Sequence, residues 1–188
     1  MRSGRRGRWG ESSVYLREQA TESRVKALPL KSSRVIAFAT HGLLSGELTG
    51  LAEPALVLTP PAVGTEQDDG LLTASEIAQL DLNAEWVILS ACNTAGGDKP
   101  GAQGLSGLAK AFFYAGARAL LVSHWPVESS SATALTTRMF EERANDPSIG
   151  RAEALRRSML ALAADETRPH YAHPAFWAPF VVIGEGGT

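Results

Sequence analysis

The sequence contains two side chains suited to nucleophilic attack and proton transfer, the thiol of Cys92 and the imidazole of His41. Each of them follows a strongly apolar run. The runs are residues 34–40 and 86–90. Such runs are typical of strands that are covered on both faces in a parallel sheet. Parallel strands end at one edge of their sheet, and neighbouring strands lie about 5 Å apart. If these two strands are neighbours, the thiol and the imidazole face each other, as catalysis by a thiolate requires.

The residues beside this pair favour acyl transfer. Gly42 directly follows His41, and because it has no side chain its N–H is open to a ligand. Together with the N–H of Cys92, it would form a two-donor oxyanion hole for a tetrahedral intermediate. The interval of 51 positions from His41 to Cys92 is close to the roughly 50 that separate the histidine and the cysteine of caspases.

Other roles for these residues are open. A lone cysteine is most often an inert, buried apolar side chain. His124 follows another strand-like run, residues 119–123, and therefore competes with His41 as the catalytic base. His41 is preferred because Gly42 beside it supplies an oxyanion donor.

Three further residues are candidates for lining a substrate groove: Trp125, Asp69 and Asn93. For Trp125, a place in the apolar core is an equally good interpretation. His170 and His173 have no evident third ligand, so no metal site is predicted. Residues 96–101 are rich in glycine, but no Gly-Lys-Ser/Thr follows, so no nucleotide or other cofactor is expected.

The predicted elements alternate between strands and helices. Predicted strands cover residues 34–40, 86–90, 119–123 and 179–183. Predicted helices cover residues 14–28, 73–80, 105–113, 130–144 and 151–163. Thr73 and Glu76 form a capping box at the start of the second helix, and Gly116 is placed to end the third. Residues 42–70, dense in Pro, Gly and acids, predict an irregular loop. The alternation predicts one α/β domain with a mostly parallel central sheet flanked by helices.

Composition excludes several classes of protein. The chain has 188 residues, of which 44% are hydrophobic and 20% charged, and its net charge of −2 gives no sign of nucleic-acid binding. Its single cysteine rules out an intramolecular disulfide and a cysteine-rich zinc site, and suits the reducing cytoplasm. No apolar run approaches the roughly 18 residues of a membrane helix. Residues 1–13, rich in Arg, Gly and Ser, predict a disordered basic leader.

An ordered series of short motifs points to a known family. It starts with Ala-Thr-His-Gly at residues 39–42 and continues at residues 69–77, 89–94, 104–112, 115–118, 125–127 and 176–180. As a set these motifs resemble the CHAT domain, a caspase-like cysteine peptidase family often attached to tetratricopeptide repeats. The resemblance implies a caspase-like sandwich with His41 and Cys92 as the catalytic dyad. Only some twenty structured residues are expected before the histidine strand. Residues 14–188 are therefore expected to be the C-terminal portion of an N-terminally truncated domain.

Two functional hypotheses follow from this resemblance. The first is a cysteine endopeptidase that hydrolyses a protein or peptide substrate through an acyl-thioester intermediate. The alternative is a catalytically weak or inactive CHAT fragment that acts as a protein-interaction or signalling module. The implied partners are a tetratricopeptide-repeat region or the missing N-terminal half of the domain, and neither nucleic acid nor a membrane is expected. The intact dyad favours the peptidase, and the missing part favours the module.

Overall fold

The structure, a computed structural model, describes residues 12–65, 67–89 and 104–187. The strands within these ranges are β1 Val35–Phe38, β2 His41–Leu43, β3 Ala55–Val57, β4 Leu71–Thr73, β5 Trp86–Leu89, β6 Ala119–Ser123 and β7 Phe180–Gly184. The α-helices there are α1 Glu22–Ala27, α2 Ala74–Ile77, α3 Gly104–Tyr114, α4 Ser129–Asn145 and α5 Arg151–Ala163. None of these helices is long and apolar enough to cross a bilayer.

The central sheet has the strand order β1-β5-β6-β7. β1, β5 and β6 are parallel to one another, and β7 runs antiparallel to β6. Helices lie on both faces of this sheet, which confirms the predicted α/β class and the mostly parallel central sheet of a caspase-like sandwich. In the described part of the chain β1 forms one edge of the sheet, because it pairs with β5 alone.

The core lies on both faces of the two central strands. Every residue of β5 and β6 is buried, as their continuous apolar sequences predict. Val87 shares one apolar cluster with Phe112 of α3. Ile88, which points to the opposite face, shares the other cluster with Leu135 of α4. The two helical layers therefore fix the direction of β5, whose end lies at the candidate site.

The first helix is shorter than predicted. The sequence predicts a helix over residues 14–28, but α1 covers only Glu22–Ala27, after a separate 3-10 turn at Arg17–Gln19. The cause is the N-cap, because the Thr21 hydroxyl accepts a hydrogen bond from Arg24 N at 3.2 Å and so starts a new helix. The predicted helices at 130–144 and 151–163 are confirmed within one residue at each end.

A second, antiparallel sheet has the strand order β2-β3-β4. β3 and most of β2 lie within the segment predicted as an irregular loop, and β4 directly follows that segment. The prediction for residues 42–70 is wrong in this respect. Each of the three strands has only three residues, which is too short for an alternating apolar pattern to show, and residues rich in Pro and Gly separate them. This sheet bears on the candidate site because it includes His41 and Gly42.

Gly70, which precedes β4, has a backbone conformation that only glycine adopts easily. Its φ is +87°, and a Cβ there would lie 2.8 Å from Pro60 Cα. Gly50 has a similar φ of +90° but nothing within 4 Å of a built Cβ. We expect Gly50→Ala to cost about 1 kcal/mol of unfolding free energy through strain alone. Gly70→Ala should cost about 1 kcal/mol more, because of crowding. Urea unfolding of the two variants measures the difference, and equal losses would contradict it.

Candidate active site

The ends of β1 and β5 lie side by side. Phe38, the last residue of β1, pairs in register with Leu89, the last residue of β5. His41 and Cys92 each lie three positions beyond these paired residues in the sequence. The predicted neighbour relation of the two strands is therefore confirmed. Cys92 itself lies outside the described residues, as does Asn93, a candidate for the substrate groove.

His41 begins β2 directly after the chain leaves the central sheet. It pairs with Val57 across the antiparallel β2–β3 ladder, and its side chain is exposed. The hydroxyl of the preceding residue, Thr40, donates a hydrogen bond to Val57 O. The backbone at His41 is thus fixed by a strand pairing and a side-chain hydrogen bond, while the imidazole faces solvent at the edge where β5 also ends.

Gly42 is the second residue of β2 and pairs with Leu56 of β3. It lies in a short strand and not in the irregular loop predicted for it. Gly42 is half-buried and directly adjoins the exposed His41. Its partner in the predicted oxyanion hole, the N–H of Cys92, lies outside the described residues.

A buried carboxylate, which the sequence analysis missed, organises the loop of Asp69. The side chain of Glu22 is 1% exposed and forms an ion pair with Lys26 at 2.5 Å. Its Oε2 accepts hydrogen bonds from Asp69 N at 2.9 Å and from Gly70 N at 3.0 Å. Burial lowers the pKa of Lys26, but its contacts with Glu22 and Glu76 outweigh burial and raise it. The only signal in the sequence is the i,i+4 spacing of Glu22 and Lys26, which many exposed helices share.

Asp69 lies close in sequence to β4 of the same small sheet as His41. Its side chain is exposed, and Oδ1 accepts a hydrogen bond from Leu71 N at 2.8 Å. Leu71 pairs with Val57, which pairs in turn with His41. β2 and β4 lie on either side of β3, so two strand spacings, about 10 Å, separate the backbone at His41 from the backbone at Leu71. Asp69 belongs to the surroundings of His41 and not to its immediate contacts.

The predicted capping box of α2 is present and also contacts Lys26. Thr73 N donates to Glu76 Oε2 at 2.9 Å, and Glu76 N donates to the Thr73 hydroxyl at 3.4 Å. Burial raises the pKa of Glu76, but the hydrogen bonds from Lys26 and Thr73 outweigh burial and lower it below its ordinary value of 4.5. The contacts of Glu76 therefore favour its ionised form.

We expect this preference to appear in the stability at acid pH. Because the pKa of Glu76 is lower in the folded state, its ionised form stabilises the fold above about pH 4.5. This contribution is lost as the pH falls through the lowered pKa. Glu76→Gln keeps an oxygen that can accept from Thr73 N but loses the ion pair with Lys26, and should cost about 1 kcal/mol at neutral pH. Urea unfolding from pH 7 to pH 3 should show the two proteins converging below pH 4.5. A difference that stays constant over this range would contradict the ionic role.

β6 ends at the same edge and leads to two other predicted site residues. His124 follows β6 directly and is exposed. Its backbone N–H donates to Pro179 O at 3.0 Å. Trp125 is 40% exposed, and its Nε1 donates to Ala175 O at 3.4 Å. The exposure of Trp125 argues against a place in the core.

His170 and His173 belong to a pair of 3-10 turns before β7. His173 Nδ1 accepts a hydrogen bond from Ala175 N at 3.2 Å. The ring centroid of His170 lies 4.4 Å from that of Tyr171. Over the described ranges, no group of three His, Cys, Asp or Glu side chains has the geometry to hold a metal ion.

Comparison with known proteins agrees with this architecture. A family model of the CHAT domain matches residues 4–185. "Tetratricopeptide repeat protein 28" of Mus musculus is 28% identical over 199 residues, which cover 88% of this chain and 8% of that protein. The Homo sapiens protein of the same name is also 28% identical over 199 residues. The chain thus spans about 8% of the length of these relatives. Since the family model covers nearly the whole sequence, the chain belongs to the CHAT domain family, which is caspase-like.

Proposed function

We propose that this chain is a cysteine endopeptidase in which Cys92 is the nucleophile and His41 is the general base and acid. The observation that supports it most is the register of β1 and β5. Phe38 is level with Leu89, and the two reactive side chains follow these residues at the same distance along the chain. The exposed position of His41 supports access of a substrate to the dyad.

In the proposed reaction, Cys92 Sγ attacks the carbonyl carbon of the scissile peptide bond, and His41 takes up the thiol proton. The N–H groups of Gly42 and Cys92 bind the oxyanion of the tetrahedral intermediate. As the C–N bond breaks, His41 gives the proton to the leaving amine, and an acyl thioester remains on Cys92. Water then attacks the thioester carbon with His41 as the base, which releases the carboxylic acid and restores the thiol.

Asp69, Asn93 and Trp125 are proposed to line the substrate groove. Asp69 is exposed and its loop is held by the buried Glu22, while Trp125 presents an exposed ring at the same edge. A peptide between them would pass His41. The fixed loop favours a rigid groove that selects among substrates.

Cleavage of a peptide library tests the proposed activity. The library is incubated with the chain and with Cys92→Ala, and new amino termini are identified by mass spectrometry. We expect cleavage at a limited set of sequences by the wild type and none by the variant. The same cleavage by both proteins would mean that the activity belongs to a contaminant.

The oxyanion role of Gly42 leads to a separate prediction. Gly42→Val places a branched side chain beside His41, where the carbonyl oxygen is expected to bind. We expect kcat to fall about 100- to 1,000-fold, the usual effect of losing one oxyanion donor. Leu43→Val, one residue along β2, is the matched control and should change kcat by less than a few-fold. If kcat of Gly42→Val equalled that of the control, the oxyanion donor would have to lie elsewhere.

The relatives favour a second role as a protein-interaction or signalling module. They are named for tetratricopeptide repeats, and this chain corresponds to about 8% of their length. We infer that the domain works beside a tetratricopeptide-repeat region, which would present substrates or control the dyad. A chain that folds normally but leaves the whole library uncleaved would favour this module over the peptidase.

A further inference from the structure

The connection that leads from the central sheet to His41 is only two residues long. β1 ends at Phe38 and β2 begins at His41, so Ala39 and Thr40 form the whole connection. Phe38 is buried, and its ring centroid lies 5.7 Å from that of Phe112 of α3. The start of the connection is therefore fixed in the core, whereas its other end depends on what holds Thr40 and His41.

Thr40 ties this other end to β3. Its hydroxyl donates a hydrogen bond to Val57 O, and Val57 is also the residue of β3 that pairs with His41. β3 is itself anchored, because the neighbouring Leu56 is fully buried and belongs to the same apolar cluster as Phe38. The Thr40 hydroxyl thus links the backbone directly before His41 to a strand that the core holds in place.

The imidazole of His41 depends on this backbone for its position. Its side chain is exposed, and none of the residues that the structure describes forms a hydrogen bond or an ion pair with the ring. In many catalytic pairs a third group orients the base through a hydrogen bond. Because no described side chain does so here, the contacts of Thr40 are the nearest ones that fix the base relative to the end of β5.

We propose that Thr40 is a positioning residue for the catalytic pair, because its hydrogen bond to Val57 O holds His41 where it can exchange a proton with Cys92. This inference rests on the proposed peptidase function. Thr40 acts through His41 and is given no contact with the substrate. Misplacement of a catalytic group by about 1 Å can lower a rate about 100-fold. Loss of this one bond should therefore lower kcat and leave KM nearly unchanged.

The first test compares two substitutions of Thr40. Thr40→Val keeps the branched shape and removes the hydroxyl, whereas Thr40→Ser keeps the hydroxyl. We expect Thr40→Val to lower kcat about 10- to 100-fold on a peptide that the wild type cleaves, with KM within about twofold. Thr40→Ser should retain kcat within about threefold, because the bond to Val57 O can still form.

The pH dependence of alkylation of Cys92 by iodoacetamide separates positioning from stability. A displaced imidazolium stabilises the thiolate less. The midpoint of the profile should therefore rise by about one pH unit in Thr40→Val, towards the ordinary thiol pKa of about 8.5. Thr40→Ser should keep the wild-type midpoint. A residue that only supports the fold would change the urea midpoint of unfolding and not the alkylation midpoint.

Thr59→Val is the matched control. Thr59 is half-buried like Thr40, and its hydroxyl also donates to a main-chain carbonyl, Arg17 O, at 2.7 Å. It lies beyond the end of β3 and far from His41 in the pairing of the small sheet. The control should lower the urea midpoint as Thr40→Val does, with kcat and the alkylation midpoint unchanged. If Thr40→Val fails to fold, Thr40→Ala takes its place, since it also lacks the hydroxyl and adds no bulk.

Four results would overturn the proposal. A wild-type kcat and alkylation midpoint in Thr40→Val would do so and leave the peptidase function intact. Equal shifts in Thr40→Ser and Thr40→Val would show that the hydroxyl is not responsible. Equal shifts in Thr40→Val and Thr59→Val would show a general loosening of the fold. A wild type that is alkylated with the same pH dependence as His41→Ala would overturn the peptidase function together with this inference.

Discussion

Cys92→Ala is expected to abolish peptide cleavage, and His41→Ala to lower kcat by about 100- to 10,000-fold, the range for loss of a general acid–base group. Both variants should unfold within about 0.5 kcal/mol of the wild type if the side chains lie outside the core. For His41 this is supported by its exposure at the start of β2. The measurements are kcat on a peptide found by the library assay and the unfolding free energy in urea.

His124→Ala is the matched control for the histidine. His124 is also exposed and also follows a strand of the central sheet, β6. It should retain kcat within a few-fold, because the proposed oxyanion donor, Gly42, adjoins His41 and not His124. A loss of activity in His124→Ala with none in His41→Ala would reverse the assignment of the base. Retained cleavage with a large loss of stability in Cys92→Ala would show that the cysteine is a core residue.

The largest loss of stability is expected for Glu22→Ala. The variant leaves Asp69 N and Gly70 N without their shared acceptor and removes one partner of Lys26. An N–H left without an acceptor costs about 1–3 kcal/mol, so losing both of these bonds should cost about 3 kcal/mol. At about 2–4 °C per kcal/mol for a chain of this size, Tm should fall by at least roughly 6 °C. Scanning calorimetry measures this fall.

Glu18→Ala removes a carboxylate from an exposed position just before α1 and is the control. We expect it to change Tm by about 1 °C or less, as surface substitutions usually do. The role given to Glu22 would be contradicted by equal Tm values for the two variants. Because Glu22 positions the Asp69 loop, its loss should also raise KM for peptides more than it lowers kcat.

The central sheet could be predicted from the sequence because its middle strands are buried on both faces. Such strands are continuous apolar runs, and β6 has the predicted bounds of residues 119–123. The position of His41 followed from the same runs, since parallel neighbours end at one edge.

The second sheet and the buried Glu22 could not be predicted in this way. Three-residue strands such as β3 have no measurable period, and their pairing depends on contacts between segments distant in the sequence. Glu22 looks like an ordinary surface residue of a short helix, and its burial depends on the loop around Gly70.

Alkylation of Cys92 by iodoacetamide as a function of pH tests the dyad most directly, because the chain has a single cysteine. A thiol with the ordinary pKa of about 8.5 reacts about 200-fold more slowly at pH 6 than at pH 9. We expect the wild type to lose less than about tenfold over this range, since the imidazolium of His41 would stabilise the thiolate. His41→Ala should show the full loss. A wild-type rate that falls as steeply as that of His41→Ala would contradict an activated Cys92–His41 pair.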